Sequence, residues 1–229
     1  MFAGLYLVYA NKKVTMQIHY LTVKKTARFF TLGTLNPQTK EVWFVLHGYA
    51  QLGSDFIKPF EMLVNDERFI IAPEGLNKFY TRGFGGNPAA SWMTSEDRLH
   101  EIADYMEYLQ QLYESLQINA ERVKVILLGF SQGVATASRW LAASKIMFNH
   151  FVVCSGEIAA EMQHPIHPAL TKTPVTYITG NADKLISSEK LQAYVQLMQS
   201  IKARMITFEG GHIIDPQSVL QAANIEFAQ

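Results

Sequence analysis

Val123-Lys124-Val125-Ile126-Leu127-Leu128-Gly129-Phe130-Ser131-Gln132-Gly133-Val134 is the stretch on which the fold turns. A largely apolar run leads into Gly-x-Ser-x-Gly, and Val134–Ser144 then contains neither glycine nor proline. That order reads as a buried strand, an abrupt turn and a helix. In such a turn the serine takes strained backbone angles, and glycines two places before and after it relieve the crowding. The hydroxyl then stands above the end of the sheet, at a helix N-terminus that favours negative charge. The bare five-residue pattern arises by chance in many chains. Its place between strand and helix gives it weight as a nucleophile turn.

Outward from this turn, apolar runs alternate with amphipathic stretches. Val42–Leu46, Phe69–Ala72, Phe151–Cys154, Val175–Thr179 and Met205–Phe208 read as further strands. Ser54–Leu63, a stretch from near Leu99 to Leu116, Ser188–Gln199 and Pro216–Phe227 read as helices, the last with Asp215 as its N-cap. Val14–Val23 and Ala27–Leu32 alternate loosely and predict two antiparallel edge strands. Strand and helix in alternation with short connections predict an α/β fold, a mostly parallel twisted sheet covered by helices on both faces. Ligands bind such sheets beyond the carboxyl ends of the strands.

The 229 residues are 48% apolar and carry 20 basic against 20 acidic side chains, for zero net charge. This composition supports a sizeable core in one domain and excludes disorder. It gives no global attraction to nucleic acid or anionic membrane. No apolar run approaches a membrane span of about 20 residues. The single Cys154 excludes an intrachain disulfide and reads as a small core residue. Met1–Ala10 is apolar but lacks a preceding basic region, so no signal peptide is read and a cytoplasmic protein is expected. Residues 1–15 are expected to be an appendage to a single domain over 16–229, with Met16 an alternative start.

One connection is abnormally long. Residues 73–98 hold Gly75, Gly83, Gly85 and Gly86 together with Phe79, Tyr80, Phe84 and Trp92. A long loop this aromatic is expected to line a substrate rather than merely pack on itself. Phe84, Trp92 and Met93 are the candidate substrate-binding residues.

A serine hydroxyl needs an imidazole to take its proton and a carboxylate to orient that imidazole. Nucleophile turns of this kind are followed along the chain by the acid and then the histidine. Scarcity makes the assignment. Asp183 is the only aspartate between Ser131 and the last histidine, and His212 is the only histidine after Asp183. Each follows an expected strand, in Gly180-Asn181-Ala182-Asp183 and Gly210-Gly211-His212. Glu157, Glu161, Glu189 and Glu209 remain formal alternatives for the acid, and Glu157 competes most seriously because it too follows a strand. The oxyanion formed in acyl transfer needs two donors. The backbone N–H of Gln132 is one, and that of Tyr49, in the His47-Gly48-Tyr49 turn after Val42–Leu46, is the other. His47 precedes Ser131 and is expected to hold that loop. His164-Pro165-Ile166-His167 lacks a third ligand, so no metal is expected. No phosphate-binding glycine loop is present and no organic cofactor is expected.

These motifs resemble the α/β-hydrolase superfamily, and within it the phospholipase/carboxylesterase family that includes acyl-protein thioesterases. The likeness runs from Val42 onward. It rests on Leu46-His47-Gly48, Ala72-Pro73-Glu74-Gly75, Ser91-Trp92, Gly129-Phe130-Ser131-Gln132-Gly133, Gly180-Asn181-Ala182-Asp183 and Gly211-His212. The resemblance implies the same triad and the same oxyanion donors, and it places Ser91-Trp92 beside the acyl pocket. The chain departs from that pattern at Met93-Thr94, at Val134 and at Tyr49-Ala50-Gln51, which bears on the substrate rather than the catalysis.

The expected activity is hydrolysis of short- to medium-chain carboxylic esters through an acyl-enzyme on Ser131. A thioesterase or lysophospholipase would use the same triad. A catalytically idle scaffold that binds a small hydrophobic ligand is the alternative outside enzymes. The expected partner is a small-molecule ester, with a homodimer admissible.

Overall fold

The computed structural model describes residues 15–225. Parts of two expected elements, Val14 and residues 226–227, therefore lie outside the described residues, as does most of the 1–15 appendage.

A seven-stranded sheet organises the chain. Its strands are β1 (Phe29–Leu32), β2 (Glu41–Leu46), β3 (Arg68–Pro73), β6 (Lys124–Phe130), β7 (His150–Cys154), β8 (Val175–Gly180) and β9 (Arg204–Phe208). They lie in the order β1-β3-β2-β6-β7-β8-β9. All neighbours run parallel except β1, which pairs antiparallel with β3 from Phe29↔Pro73 to Leu32↔Ile70. Two further strands, β4 (Asn77–Phe84) and β5 (Pro88–Ser91), form a separate antiparallel hairpin.

Both faces of the sheet are covered, which is why its strands are apolar at successive positions. Val42, Phe44 and Leu46 of β2 enter one core and Trp43 and Val45 the other. The first core is closed by α2 (Arg98–Ser115), α3 (Gln132–Ala143), α4 (Pro168–Lys172) and α5 (Ser188–Ser200), through residues such as Tyr105, Trp140, Leu170 and Met198. The second is closed by α1 (Gly53–Phe56), the 3₁₀ turn Lys58–Leu63 and α6 (Pro216–Ala223), through Phe56, Phe60 and Val219. Asp215 caps α6 by accepting the Ser218 N–H at 2.8 Å, as its place before Pro216 leads one to expect. Among the described residues no helix is long and apolar enough to cross a membrane.

The structure corrects several sequence expectations. Of the two N-terminal edge strands, only Phe29–Leu32 forms. Residues 15–28 belong to no regular element, and 15–26 are exposed throughout. Alternation there meets no sheet face to bury against. The expected helix Ser54–Leu63 is broken into α1 and the 3₁₀ turn at Lys58-Pro59, because proline lacks the N–H that would continue it. The 73–98 loop contains the β4–β5 hairpin, whose strands are joined by residues 85–87, with Gly83 of β4 at φ +51°. His167 caps α4 by accepting the Ala169 N–H at 3.2 Å.

Candidate active site

Ser131 joins β6 to α3 with φ +52° and ψ −119°, a conformation L-residues rarely adopt. Such a residue costs about 1–3 kcal/mol and persists only where its surroundings fix it. Here the Ser131 N–H donates to the Cys154 carbonyl at 3.0 Å and its own carbonyl accepts the Val134 N–H at 3.0 Å. The flanking glycines are sterically required. A Cβ on Gly129 would lie 2.6 Å from the Gly133 carbonyl oxygen, and one on Gly133 would run into the Leu46 carbonyl. Ser131 occupies the N-cap of α3, yet its hydroxyl makes no capping hydrogen bond. The twisted backbone carries Oγ away from the helix N–H groups that a capping serine would serve.

Two loops reach the same rim from β8 and β9. The Asn181 N–H donates to the Phe208 carbonyl and the Ala182 N–H to the Gly210 carbonyl, at 2.9 and 2.8 Å. Asn181 Oδ1 accepts the Gly210 N–H at 3.2 Å. These bonds bring His212 Nδ1 to 2.8 Å from Asp183 Oδ2, and the Asp183 carboxylate is only 3% exposed. Its other oxygen accepts the Leu185 N–H at 2.9 Å. With Nδ1 turned to an acceptor-only carboxylate, that nitrogen carries the proton and Nε2 is left as the basic lone pair. The imidazole lies 4.9 Å from the ring of Phe130, the residue before Ser131. Among the described residues no hydrogen bond joins Ser131 Oγ to His212. Such contacts are commonly long before substrate binds. Glu157 is exposed and forms no ion pair with His212.

The loop after β2 passes directly over the turn: a Cβ on Gly48 would lie 3.1 Å from Ser131 Cβ. Gln51 Oε1 accepts the Gly48 N–H at 2.7 Å, and Ala50 and Gln51 pair with Ala90 of β5. Among the described residues neither the Tyr49 nor the Gln132 backbone N–H donates to a protein acceptor. The Tyr49 side chain is exposed and stacks on Phe79 with ring centroids 5.2 Å apart.

His47 is fully buried. Its Nε2 accepts the Gly75 N–H at 2.9 Å, so Nδ1 carries the proton and donates to the Gly48 carbonyl at 2.7 Å. Burial pushes its pKa down to about 4, leaving the ring neutral. It holds the loop, the role its place in the chain suggests. Cys154 is buried in the core, where burial raises its thiol pKa.

The candidate substrate residues fall in different places. Trp92 is 1% exposed and lies beneath the site: its ring stacks on His47 at 5.0 Å and its Nε1–H donates to the His47 carbonyl at 2.8 Å. Phe84, at the end of β4, is fully exposed, with a relative accessibility of 103%. Met93 is half-buried, and its sulfur lies 4.0 Å from Arg139 Nη1. Aromatic content marked this loop, but it does not say which way a ring faces.

Two contributors escape a sequence reading. The Gln132 side chain accepts the Trp92 N–H at 3.1 Å and donates to the Met93 carbonyl at 2.7 Å. Glu74 is buried at the end of β3. It accepts Arg28 Nε at 2.6 Å, Lys78 Nζ at 2.7 Å and the Gly53 N–H at 2.9 Å. A glutamate in a Pro-Glu-Gly turn would ordinarily be solvated. The nearest signal was its place at a strand end among motif residues.

A mostly parallel sheet covered on both faces, with a strained serine between β6 and α3, is the α/β-hydrolase fold. Comparison with known families makes this specific. The serine hydrolase (FSH1) family model matches residues 38–223, and the chain belongs to that family. It is a serine hydrolase. Several solved structures share the fold. Zea mays acyl-protein thioesterase 2 superposes with a TM-score of 0.65 at 18% identity, over 86% of this chain and 96% of that one. Esterase PE8 gives 0.65 at 21% over the same shares, and the Bacillus cereus carboxylesterase 0.59 at 15% over 86% and 91%. A comparison with curated protein sequences finds no match.

Proposed function

We propose that the protein is a carboxylic ester hydrolase in which Ser131 is the nucleophile, His212 the general base and Asp183 the group that orients it. The buried Asp183 carboxylate at 2.8 Å from His212 Nδ1, on the same rim as the strained Ser131, carries this reading. Nε2 takes the hydroxyl proton as Oγ bonds to the ester carbonyl carbon and the carbonyl electron pair moves to oxygen. The Tyr49 and Gln132 N–H groups receive that oxyanion. Collapse expels the alcohol, which leaves with the proton from His212. Water, deprotonated by His212, then attacks the acyl-enzyme and restores the free serine.

Exposed apolar side chains flank this centre: Tyr49 stacked on Phe79, Leu185 two residues after Asp183, and Ile213 next to His212. They favour an uncharged ester of short to medium chain length, with Met93 at the edge of the site. A fluorophosphonate probe tests the nucleophile. It is expected to label Ser131 in the folded protein, and Ser131→Ala should abolish labelling and lower turnover by about 10⁴–10⁶. Wild-type hydrolysis of p-nitrophenyl acetate by Ser131→Ala would reject the assignment. A chain-length series of paired esters and thioesters decides which leaving group is preferred.

A further inference from the structure

The two proposed oxyanion donors come from different elements, Tyr49 from the loop after β2 and Gln132 from the first turn of α3. Their usefulness depends on register, because donors must be held within about 0.5 Å of the productive geometry. One chain of contacts runs between them through the buried His47, Ser91 and Trp92. It starts at the Gln132 side chain. The amide oxygen accepts the Trp92 N–H at 3.1 Å, with Ser91 Oγ at 3.2 Å, and the amide nitrogen donates to the Met93 carbonyl at 2.7 Å. All three main-chain and side-chain partners sit in the strand end that leaves β5. Trp92 carries the connection onward. Its Nε1–H donates to the His47 carbonyl at 2.8 Å, and its indole stacks on the His47 imidazole at 28° between planes. His47 is fixed from the other side by the Gly75 N–H, and the Gly48 N–H by Gln51. The next N–H along the chain is that of Tyr49.

We propose that Trp92 and the side-chain amide of Gln132 are positioning residues that set the spacing between the two oxyanion donors. This rests on the function proposed above. Trp92 has almost no exposed surface to offer a substrate, and the single polar atom of its side chain is spent on the carbonyl that immediately precedes Gly48. The indole therefore acts on the developing oxyanion through the loop, not by touching the acyl group. Because the oxyanion exists only in the transition state, a loss of register lowers kcat and leaves ground-state binding alone.

Two variants test this. Trp92→Phe keeps an aromatic ring and deletes the N–H; Gln132→Met keeps the backbone donor and deletes the side-chain amide. For p-nitrophenyl butyrate, each is expected to lower kcat roughly 10–100-fold, short of the 10²–10³ for a deleted donor, with KM within a factor of about three. Affinity for a boronic acid, which forms a tetrahedral adduct on Ser131, should fall by the same factor as kcat/KM. Unchanged kcat in both variants would overturn the proposal. So would a raised KM at constant kcat, the mark of a substrate contact, or a kcat loss without the matching loss of boronate affinity. Should a variant fail to fold, the wild-type protein carries the test: boronate binding is expected to shift the Trp92 indole proton resonance and slow its exchange, and no change would reject the connection. Fluorophosphonate labelling of wild-type Ser131 separates the outcomes. Labelled wild type with normal variants removes only this inference, whereas an unlabelled wild type removes the proposed function.

Discussion

His212 Nδ1 lies 2.8 Å from Asp183 Oδ2, and the carboxylate that faces the imidazole is almost wholly removed from solvent. The pair fixes the tautomer of His212. Asp183→Asn keeps the shape but presents an amide, whose N–H₂ would turn the imidazole to the wrong tautomer. On the proposed mechanism, esterase turnover is expected to fall about 10⁴-fold, as when the triad aspartate of a well-studied serine protease is replaced. Circular dichroism and the melting temperature should stay near wild type. A variant with a tenth of wild-type kcat would show that the acid lies elsewhere, with Glu157 the first to examine.

The turn around Ser131 tolerates no added atoms. Gly133→Ala would drive a methyl group into the Leu46 carbonyl, and Gly156→Ala would do the same to the Ser131 carbonyl. The obstacles include backbone, which gives less readily than a side chain, so each change is expected to cost at least about 1–3 kcal/mol. Urea denaturation measures it. Gly83→Ala is the comparison, because no atom lies within 4 Å of a Cβ there, and its cost would be confined to the φ of +51°.

Burial holds two histidines neutral. His47 and His150 both have pKa values lowered from 6.5 to about 4 by burial. Between those values the unfolded chain binds the protons that the folded chain refuses, so stability falls as pH drops from 6.5 towards 4. Each group contributes up to about 1.4 kcal/mol per pH unit in that window, on the order of 3 kcal/mol in all. His150→Gln keeps a hydrogen-bonding side chain opposite Thr176 Oγ1, which lies 2.9 Å from the imidazole Nε2. The variant should show a visibly shallower decline in urea midpoint between pH 6.5 and 4.5. An unchanged slope would place the proton uptake at other groups.

Glu74 responds in the acid range beyond that. Burial alone would raise its pKa above 4.5, but hydrogen bonds from Arg28, Lys78 and the Gly53 N–H outweigh burial and hold it lower. Its contribution is present above pH 4.5 and is lost as pH falls through the lowered value. Glu74→Gln should therefore be destabilised by about 1–3 kcal/mol at pH 7. The gap to wild type should narrow below pH 4.5. A gap of constant size would mean that lost packing, not charge, is responsible.

Residue scarcity makes the candidate site legible in the sequence. One aspartate lies between Ser131 and the last histidine and one histidine follows it, so chain order points to Asp183 and His212; what sets Asp183 apart from Glu157 is the 2.8 Å contact with His212. The parallel strands are legible because burial on both faces leaves unbroken apolar runs such as Val42–Leu46. Direction is not. Nothing in the sequence distinguishes a tryptophan that faces substrate from one that faces His47, nor shows that Gln132 reaches a partner 40 positions away. Alternation in Val14–Val23 shows what a strand could bury, and pairing depends on a neighbour that the pattern does not encode.

The burial of Cys154 at the end of β7 leaves the protein without an accessible thiol. A maleimide dye would therefore attach at one introduced position alone. Phe84→Cys places that position at the outer end of the hairpin, clear of every contact described around Ser131. A fluorophore there would report on the hairpin while substrate turns over, in a chain that needs no cysteine removed first.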